Sequence, residues 1–331
     1  GVGVNASAGF GSLSSTTHLM LSAGNVGSGR DVTFDLNGGS QTLGTVNSAN
    51  VAGIKTVRLQ GGELTIHTTA GNSGFYNGIF SGRGTINVTS TTGASGWELR
   101  ATDLANNDAI QRGALNVLGG RVSLNDSRGA LGDAVHVSVG AAGTLSVLDN
   151  ETVGSLSGAG NVEITSGRTL VLASGPAGSV FDHAWSGNIS GFGALTLATG
   201  GSLMVNSNQS YLGATRVSSG AALYLDYESG ATNLIPGTLN LNGGSLYLSG
   251  GAAPEVISSG TTISAGASLI ATQTGEADAL LNLGNLIRNS TAGGVLNIRG
   301  GSATTTSTGQ VGLGGILGGY ATHRSVVAGT P

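Results

Sequence analysis

The sequence predicts an all-β protein, a right-handed parallel β-helix (β-solenoid) with short strands, glycine-rich corners and a few extruded loops. Alternating apolar residues flank glycine corners at a nearly constant spacing, and the corners recur about every 20 to 25 residues, as in repeat proteins. Glycine supplies 61 of the 331 residues while charged residues make up only 9%. Glycine suits tight bends between coils, because it adopts positive φ angles without steric cost.

The corner pattern is clearest between residues 185 and 225. Two alternating apolar pairs flank Gly200, and the same arrangement returns around Gly220. Because alternate side chains of a strand face the same way, each corner joins two strands whose apolar side chains share one interior. The predicted inward residues of this stretch are Leu195, Leu197, Leu203, Val205, Val217, Leu223 and Leu225.

The spacing across each corner is the quantitative part of the pattern. The inward residues before and after a corner are five residues apart in Leu59/Leu64, Val117/Val122 and Leu241/Leu246, and six apart in Val139/Leu145, Ile164/Leu170, Leu197/Leu203, Val217/Leu223 and Ile263/Leu269. From Val122 to Leu269 the residues after each corner follow at steps of 23, 25, 33, 20, 23 and 23. We interpret the step of 33, which spans Gly175 to Trp185, and a similar excess between Leu64 and Trp97, as loops extruded from a coil.

Other architectures fit less well. Disorder is disfavoured because 39% of the residues are hydrophobic and regularly placed. Leucine-rich or ankyrin repeats would need helices, and the strongest helical alternative is the stretch from Ala279 to Ile287, which also fits a buried strand between turns. We therefore expect a single continuous array over residues 1–331, with less regular ends at 1–30 and 323–331.

Composition excludes several classes of function. The net charge is −4, and one lysine and twelve scattered arginines form no cluster that could follow a phosphate backbone, so we expect no nucleic-acid partner. The absence of cysteine removes disulfides and thiolate metal sites, and no apolar run reaches the roughly 18 residues of a membrane span. Because the chain begins at Gly1 without a visible signal peptide, we expect a portion of a longer protein.

Four phrases of the sequence resemble a known repeat. Their key residues are Trp185, Ser186, Gly187, Ile189, Gly191, Gly193 and Leu195 in the first, and Tyr211, Gly213, Thr215, Val217, Gly220 and, one residue late, Leu223 in the second. The third is VGSLSGAGNVEI at residues 153–164, and the fourth is GGILGGYAT at residues 314–322. Taken together in their order along the chain, they resemble the autotransporter-associated β-strand repeat of bacterial surface proteins. One departure is Leu197, where that family often has a lysine.

The resemblance implies a secreted β-helix on a bacterial cell surface. It covers most of residues 30 to 322, although no translocator barrel is visible in this sequence. Our expectation is a non-enzymatic stalk, adhesin or fibre segment, located outside the cell. Its partners would be other copies or flanking repeats docked end to end and glycans or other components of neighbouring surfaces. We expect no cofactor, no metal and no membrane insertion of this segment.

Candidate functional residues lie in two places. Asp182 and His183 could form a carboxylate and imidazole pair for base chemistry in the loop that Trp185 closes, although a solvated loop with a local hydrogen bond is the favoured interpretation. Asp226, Tyr227 and Glu228 could bind a sugar or a cation, and turn formation is again the favoured role.

Other carboxylates and the aromatic residues leave two alternatives open. Asp126 with Asp149, and Glu276 with Asp278, are further carboxylate pairs of the kind that would support a carbohydrate-active enzyme. A self-assembling filament or sheath subunit is a second alternative. The aromatic residues could form a sugar-stacking stripe or cap the core, and the core is favoured; they are Tyr76, Trp97, Trp185, Tyr211, Tyr224, Tyr227 and Tyr247.

Overall fold

The described chain folds entirely through parallel strands that stack coil upon coil as a β-solenoid, which confirms the predicted fold class. The structure, a computed structural model, describes residues 4–5, 13–22, 31–49, 53–69, 74–90, 96–100, 113–126, 129–175, 183–250, 255–272, 281–289, 291–300, 305–307 and 321–325. These residues include no α-helix, and hence none long and apolar enough to cross a membrane. Contacts divide the chain into two units, Gly1–Arg168 and Thr169–Pro331. The prediction of one continuous array stays a prediction.

The first unit contains sixteen described strands. They are β1 (Val4–Asn5), β2 (His18–Leu21), β3 (Val32–Asp35), β4 (Ser40–Leu43), β5 (Thr45–Ser48), β6 (Lys55–Arg58), β7 (Glu63–Thr68), β8 (Gly74–Tyr76), β9 (Ile79–Ser81), β10 (Thr85–Ser90), β11 (Gly96–Leu99), β12 (Ala114–Leu124), β13 (His136–Val147), β14 (Glu151–Val153), β15 (Ser155–Gly158) and β16 (Asn161–Ile164). Strands β1, β3, β6 and β9 form one parallel ladder, and β4, β7, β10, β12 and β13 form another. Strand β11 pairs with both β8 and β12.

The second unit also contains sixteen described strands. They are β17 (Thr169–Leu172), β18 (Asn188–Gly191), β19 (Ala194–Leu197), β20 (Ser202–Val205), β21 (Thr215–Ser218), β22 (Ala222–Asp226), β23 (Leu239–Asn242), β24 (Ser245–Ser249), β25 (Glu255–Val256), β26 (Thr261–Ile263), β27 (Ala267–Thr272), β28 (Leu281–Gly284), β29 (Leu286–Arg288), β30 (Val295–Gly300), β31 (Thr305–Ser307) and β32 (Ala321–Ser325). Strands β17, β19, β21, β23, β26 and β29 form one ladder, and β20, β22, β24, β27, β30 and β32 form another.

The interior is a set of apolar columns that the stacking register builds. In the second unit Leu197, Val217, Leu241 and Ile263 are register partners in succession, and each is fully buried. No single coil could bury these side chains, whereas a neighbour above and below removes them from water. The seven inward residues predicted between residues 185 and 225 are all buried, which confirms the alternation pattern.

Glycine is required at the corners for two different reasons. Gly200 and Gly220 have φ angles of 87° and 76°, a region that side chains with a Cβ rarely adopt. Gly201 is needed because a Cβ there would lie 2.2 Å from the carbonyl oxygen of Leu172 on the neighbouring coil. The predicted glycine corners at these positions are therefore confirmed.

One predicted inward residue is wrong. Leu269 is half-buried on the outer surface, while Ser268 and Ile270 on either side of it are buried. The reason is a polar contact inside the corner, where the Ser268 hydroxyl oxygen accepts a hydrogen bond of 3.0 Å from the backbone N–H of Gly243. That bond turns Ser268 inward and shifts the alternation by one residue.

The two long steps join residues of different ladders, so neither step measures the length of one coil. Leu64 stacks on Ile86, which is an ordinary step, and Trp97 belongs to the separate ladder of β8, β11 and β12. Within the second predicted loop, Gly74–Tyr76 forms strand β8. Likewise Leu170 stacks on Leu195 and not on Leu203. Residues 70–73 and 176–182 lie outside the described part of the chain, so an extruded loop at either place stays a prediction.

The stretch near residue 280 that could have been helical is strand in its described residues. Leu281–Gly284 and Leu286–Arg288 are strands, each paired in parallel with a strand of the preceding coil. Leu281, Leu283 and Leu286 are buried, so the apolar run is a pair of core strands around a corner.

Candidate functional site

The predicted loop site is only partly described. Asp182 lies outside the described residues, so its pairing with His183 stays a prediction. Trp185 is fully buried, and its indole N–H donates a hydrogen bond of 3.3 Å to Oε1 of Gln209 on the next coil. Its backbone N–H donates to the carbonyl of Met204 at 2.7 Å. The structure thus places Trp185 in the core.

The predicted site at Asp226, Tyr227 and Glu228 is a turn whose side chains face in different directions. Oδ1 of Asp226 accepts a hydrogen bond of 2.9 Å from the backbone N–H of Glu228, as turn aspartates do. Glu228 is exposed and Tyr227 is buried. The structure therefore does not bring these three side chains to one surface, and binding by them stays a prediction.

Tyr227 belongs instead to a buried polar cluster with Glu255. Burial raises the pKa of the Tyr227 hydroxyl well above its ordinary value, and the Glu255 carboxylate adds to that rise. Burial likewise raises the pKa of Tyr211, whose hydroxyl hydrogen-bonds that of Thr215 at 2.5 Å. Because burial favours the neutral form of a phenol, both tyrosine hydroxyls keep their protons.

Glu255 binds the backbone of the preceding coil with both carboxylate oxygens. Oε2 accepts a hydrogen bond of 2.9 Å from the N–H of Leu234, and Oε1 accepts one of 3.0 Å from the N–H of Ile235. Burial raises the pKa of the Glu255 carboxyl, while these two N–H groups lower it. The carboxylate satisfies two buried donors that a corner would otherwise leave unpaired.

Glu151 makes the same arrangement in the first unit. Its carboxylate accepts hydrogen bonds of 2.7 Å and 3.2 Å from the backbone N–H groups of Ala130 and Leu131. Burial raises the pKa of the Glu151 carboxyl to about 8, the two N–H groups oppose that rise, and the nearby Asp133 and Asp126 carboxylates add to it. Glu151 is thus a carboxyl group enclosed by protein, with both oxygens bound to the main chain.

Neither buried glutamate was among the residues predicted from the sequence, although their positions carry a signal. Glu151 precedes Val153 by two residues and Glu255 precedes Ile257 by two, so each is in phase with an inward apolar side chain. A charged residue in phase with the core is the pattern that identifies such a group.

The other predicted carboxylate pairs are not brought together as a site. Asp149 forms a salt bridge with Arg168, with Oδ1 and Nη1 2.9 Å apart. Asp126 is instead buried near Glu151. Glu276 and Asp278 lie outside the described residues. In the part of the chain that is described, no three His, Asp or Glu side chains converge as metal ligands would.

A depression of about 330 Å³ lies on the surface of the first unit, where β8, β11 and β12 run side by side. Phe75, Glu98 and Ser123 occupy one register position on these three strands, and they face outward. The Arg100 guanidinium lies 4.7 Å from the centre of the Phe75 ring. The depression is lined by Gly74, Phe75, Gly96, Trp97, Glu98, Arg100 and Ser123.

Charges in this depression are fixed by hydrogen bonds. Nη2 of Arg100 donates to Oε2 of Glu98 at 2.8 Å, and the side-chain amide of Asn125 donates to Oε1 of the same carboxylate. The hydrogen bond from Arg100 is the main cause that lowers the pKa of Glu98, with desolvation opposing it. Glu98 is therefore held as a carboxylate in a defined orientation.

Buried aromatic side chains pack together next to the depression. The Trp97 indole N–H donates a hydrogen bond of 2.8 Å to the carbonyl of Val46. Trp97 also packs edge-on against Phe80, with the ring centres 5.8 Å apart. The ring centres of Phe80 and Tyr76 lie 4.8 Å apart.

Five of the seven aromatic residues singled out in the sequence are buried, which confirms the core interpretation for them: Tyr76, Trp97, Trp185, Tyr211 and Tyr227. Tyr224 and Tyr247, half-buried on the surface, stack at 4.9 Å.

Comparisons of the chain with models of protein families, with curated proteins and with solved structures found no match.

Proposed function

We propose that this chain is a non-enzymatic structural and adhesive segment of a protein on the outside of a bacterial cell, similar to the β-helical passengers of autotransporters. The β-solenoid fold and the four sequence phrases support this proposal together. Other copies of the chain or flanking repeats dock on the open strand edges at the ends of the solenoid, and exposed coils contact glycans or other components of neighbouring surfaces.

The observation that carries the proposal is the use of buried polar side chains. Glu151, Glu255, Gln41 and Gln209 each hydrogen-bond main-chain groups of the preceding coil. These side chains hold consecutive coils together. This use of buried polar groups supports a structural role for the chain. A stacked scaffold of this kind displays its outer surface in a fixed geometry.

Location is the first test. Intact cells of the source organism should be labelled by antibodies raised against this chain, and brief protease treatment of intact cells should remove the epitope. Detection only after lysis would overturn the proposal. Deletion of the coding segment should reduce attachment of the cells to surfaces or to one another, and attachment equal to that of the parent strain would count against adhesion.

Enzymatic activity is the second test. The purified chain should release no reducing sugar from a panel of polysaccharides. Activity that disappears in the Asp226→Asn, Glu228→Gln double variant would show that the chain is a carbohydrate-active enzyme instead.

A further inference from the structure

The depression around Phe75, Glu98 and Arg100 has an unusual opening. Trp97 points inward, so its neighbours Gly96 and Glu98 occupy outward positions on the same strand. Gly96 has no side chain to cover the surface beside Glu98. Gly96 is one of the residues that line the depression.

Packing does not require glycine at position 96. Its φ angle is not positive, and a Cβ there would meet only Arg121, with its nearest heavy atom at 3.8 Å, which is an ordinary contact. Gly74 differs, because a Cβ there would lie 1.8 Å from Oδ1 of Asn47. Glycine inside a strand weakens it and often marks a position that a ligand or another backbone approaches closely.

The groups around the opening select a neutral ligand. Arg100 and Glu98 neutralise each other through their hydrogen bond of 2.8 Å, so neither a simple anion nor a simple cation finds an uncompensated charge. Both groups retain further hydrogen-bonding capacity, since a guanidinium has five N–H donors and a carboxylate about four acceptor positions. Asn125 and Ser123 add an amide and a hydroxyl next to them.

The same opening presents an apolar surface. The half-buried Phe75 ring supplies this surface, while Trp97 lies fully buried next to the opening. A ligand that fits must therefore carry both C–H surface and closely spaced hydroxyl groups that donate and accept hydrogen bonds. A pyranose has these properties, and a volume of about 330 Å³ lies within the range of small-molecule sites.

We propose that this depression binds one neutral sugar residue of a glycan, with the part of the Phe75 ring that Arg100 leaves uncovered contacting the sugar's C–H face and the Glu98–Arg100 pair binding adjacent hydroxyls. The proposal rests on the adhesive function above and adds the ligand class and the residues. Because the site is open and shallow, we expect dissociation constants on the order of millimolar for single sugars.

The two tryptophans of the chain allow a direct test on the wild-type protein. The full chain is labelled with 5-fluorotryptophan, and its two ¹⁹F resonances are assigned with Trp185→Phe. It is then titrated with methyl α-glucoside, methyl α-mannoside, methyl β-galactoside and N-acetylglucosamine. The Trp97 resonance should shift saturably with at least one of them while the Trp185 resonance stays in place. No saturable Trp97 shift with any of the four, or equal shifts of both resonances, would overturn the proposal.

A side chain at position 96 provides the matched variant. Gly96→Val should fill the opening and weaken binding by about tenfold or more, whereas Ser138→Val, at another outward half-buried strand position of the same unit, should bind as the wild type does. Undiminished affinity in folded Gly96→Val would refute the site. If Gly96→Val does not fold, Arg100→Met takes its place with the same expectation and the same refuting result.

Failure of this site and failure of the adhesive function are distinguishable. A protein found on the cell surface that binds none of the four sugars would retain the proposed function and lose the sugar site. A protein found inside the cell that shifts Trp97 with a sugar would retain the site and lose the proposed function.

Discussion

Glu255 and Leu234 join two consecutive coils of the second unit, since the carboxylate of Glu255 accepts a hydrogen bond of 2.9 Å from the Leu234 backbone N–H 21 residues earlier. The other carboxylate oxygen binds the N–H of Ile235. Glu255 is 0% exposed, so water cannot replace it as the acceptor. A buried donor left unpaired costs about 1 to 3 kcal/mol, which makes this contact a measurable part of the stability.

Removal of the Glu255 side chain is the first prediction. Glu255→Ala should lower the free energy of unfolding by about 2 to 4 kcal/mol, because two buried N–H groups lose their acceptor. Glu255→Gln should lower it by a smaller amount, about 1 to 2 kcal/mol, because one amide oxygen still accepts. Urea denaturation followed by circular dichroism measures both, and the exposed Glu228→Ala should change stability by about 0.5 kcal/mol or less. Equal midpoints for Glu255→Ala and the wild type would contradict the assigned role.

The second prediction concerns pH and Glu151. Its pKa is about 8 in the folded protein against an ordinary value of 4.5, so between these values the folded state holds a proton that the unfolded state has released. The stability contributed by this group is therefore complete below about pH 4.5 and is lost as the pH rises towards about 8. The slope is at most about 1.4 kcal/mol per pH unit.

Melting temperatures across this pH range test that sign. Between about pH 5 and pH 8 the wild type should lose stability relative to Glu151→Gln, which has no proton to release at this position. Above about pH 8 the difference between the two proteins should become constant. Two parallel curves over the whole range would show that the Glu151 pKa is not raised.

A third prediction tests the apolar column. Leu241 stacks between Val217 and Ile263 and is fully buried, so Leu241→Asp should destabilise the second unit by at least about 4 kcal/mol. Its outward neighbour provides the control, because Asn240→Asp adds the same charge where water reaches it. Thermal unfolding followed by circular dichroism should separate the two variants clearly, and equal melting temperatures would contradict the inward placement of Leu241.

A pair of glycines in the first unit gives a fourth prediction. Neither Gly143 nor Gly96 has a positive φ angle, yet a Cβ at Gly143 would lie 2.2 Å from the carbonyl oxygen of Val117 while a Cβ at Gly96 meets nothing closer than 3.8 Å. Gly143→Ala should therefore cost about 1 to 3 kcal/mol. Gly96→Ala should leave stability unchanged or raise it by about 0.5 to 1 kcal/mol. Urea midpoints compare the two variants directly, and a loss in Gly96→Ala as large as that in Gly143→Ala would refute the open space at Gly96.

Much of the core could be predicted because its signal is local. Alternation places Leu223 and Leu225 on one face, and Gly220 between two such runs marks the corner. The prediction failed at Leu269, where the hydrogen bond to Ser268 from another coil decides which side chain faces inward. The donor, the backbone N–H of Gly243, is 25 residues away, so the local alternation of apolar residues does not reveal this bond.

The sugar site could not be predicted for a related reason. Phe75, Glu98 and Ser123 are separated by more than twenty residues from one strand to the next, and only the register of β8, β11 and β12 makes them neighbours. Arg100 then reaches back over Phe75 from its own coil. The sequence directed attention to Asp226, Tyr227 and Glu228 because they are adjacent in the chain, whereas the strand alternation turns Tyr227 away from the other two.

From its sequence alone this chain is a β-solenoid with glycine corners and aliphatic columns, since strand alternation and corner chemistry depend on residues within about ten positions of one another. Only the tertiary structure decides which coil positions meet, because the steps between stacked residues vary, as in Leu64 with Ile86 and Leu170 with Leu195, and each change resets the register. The buried contacts of Glu151 and Glu255 and the depression at Gly96 are products of that register. Stacking between coils is long-range in sequence, and it is the interaction that creates them.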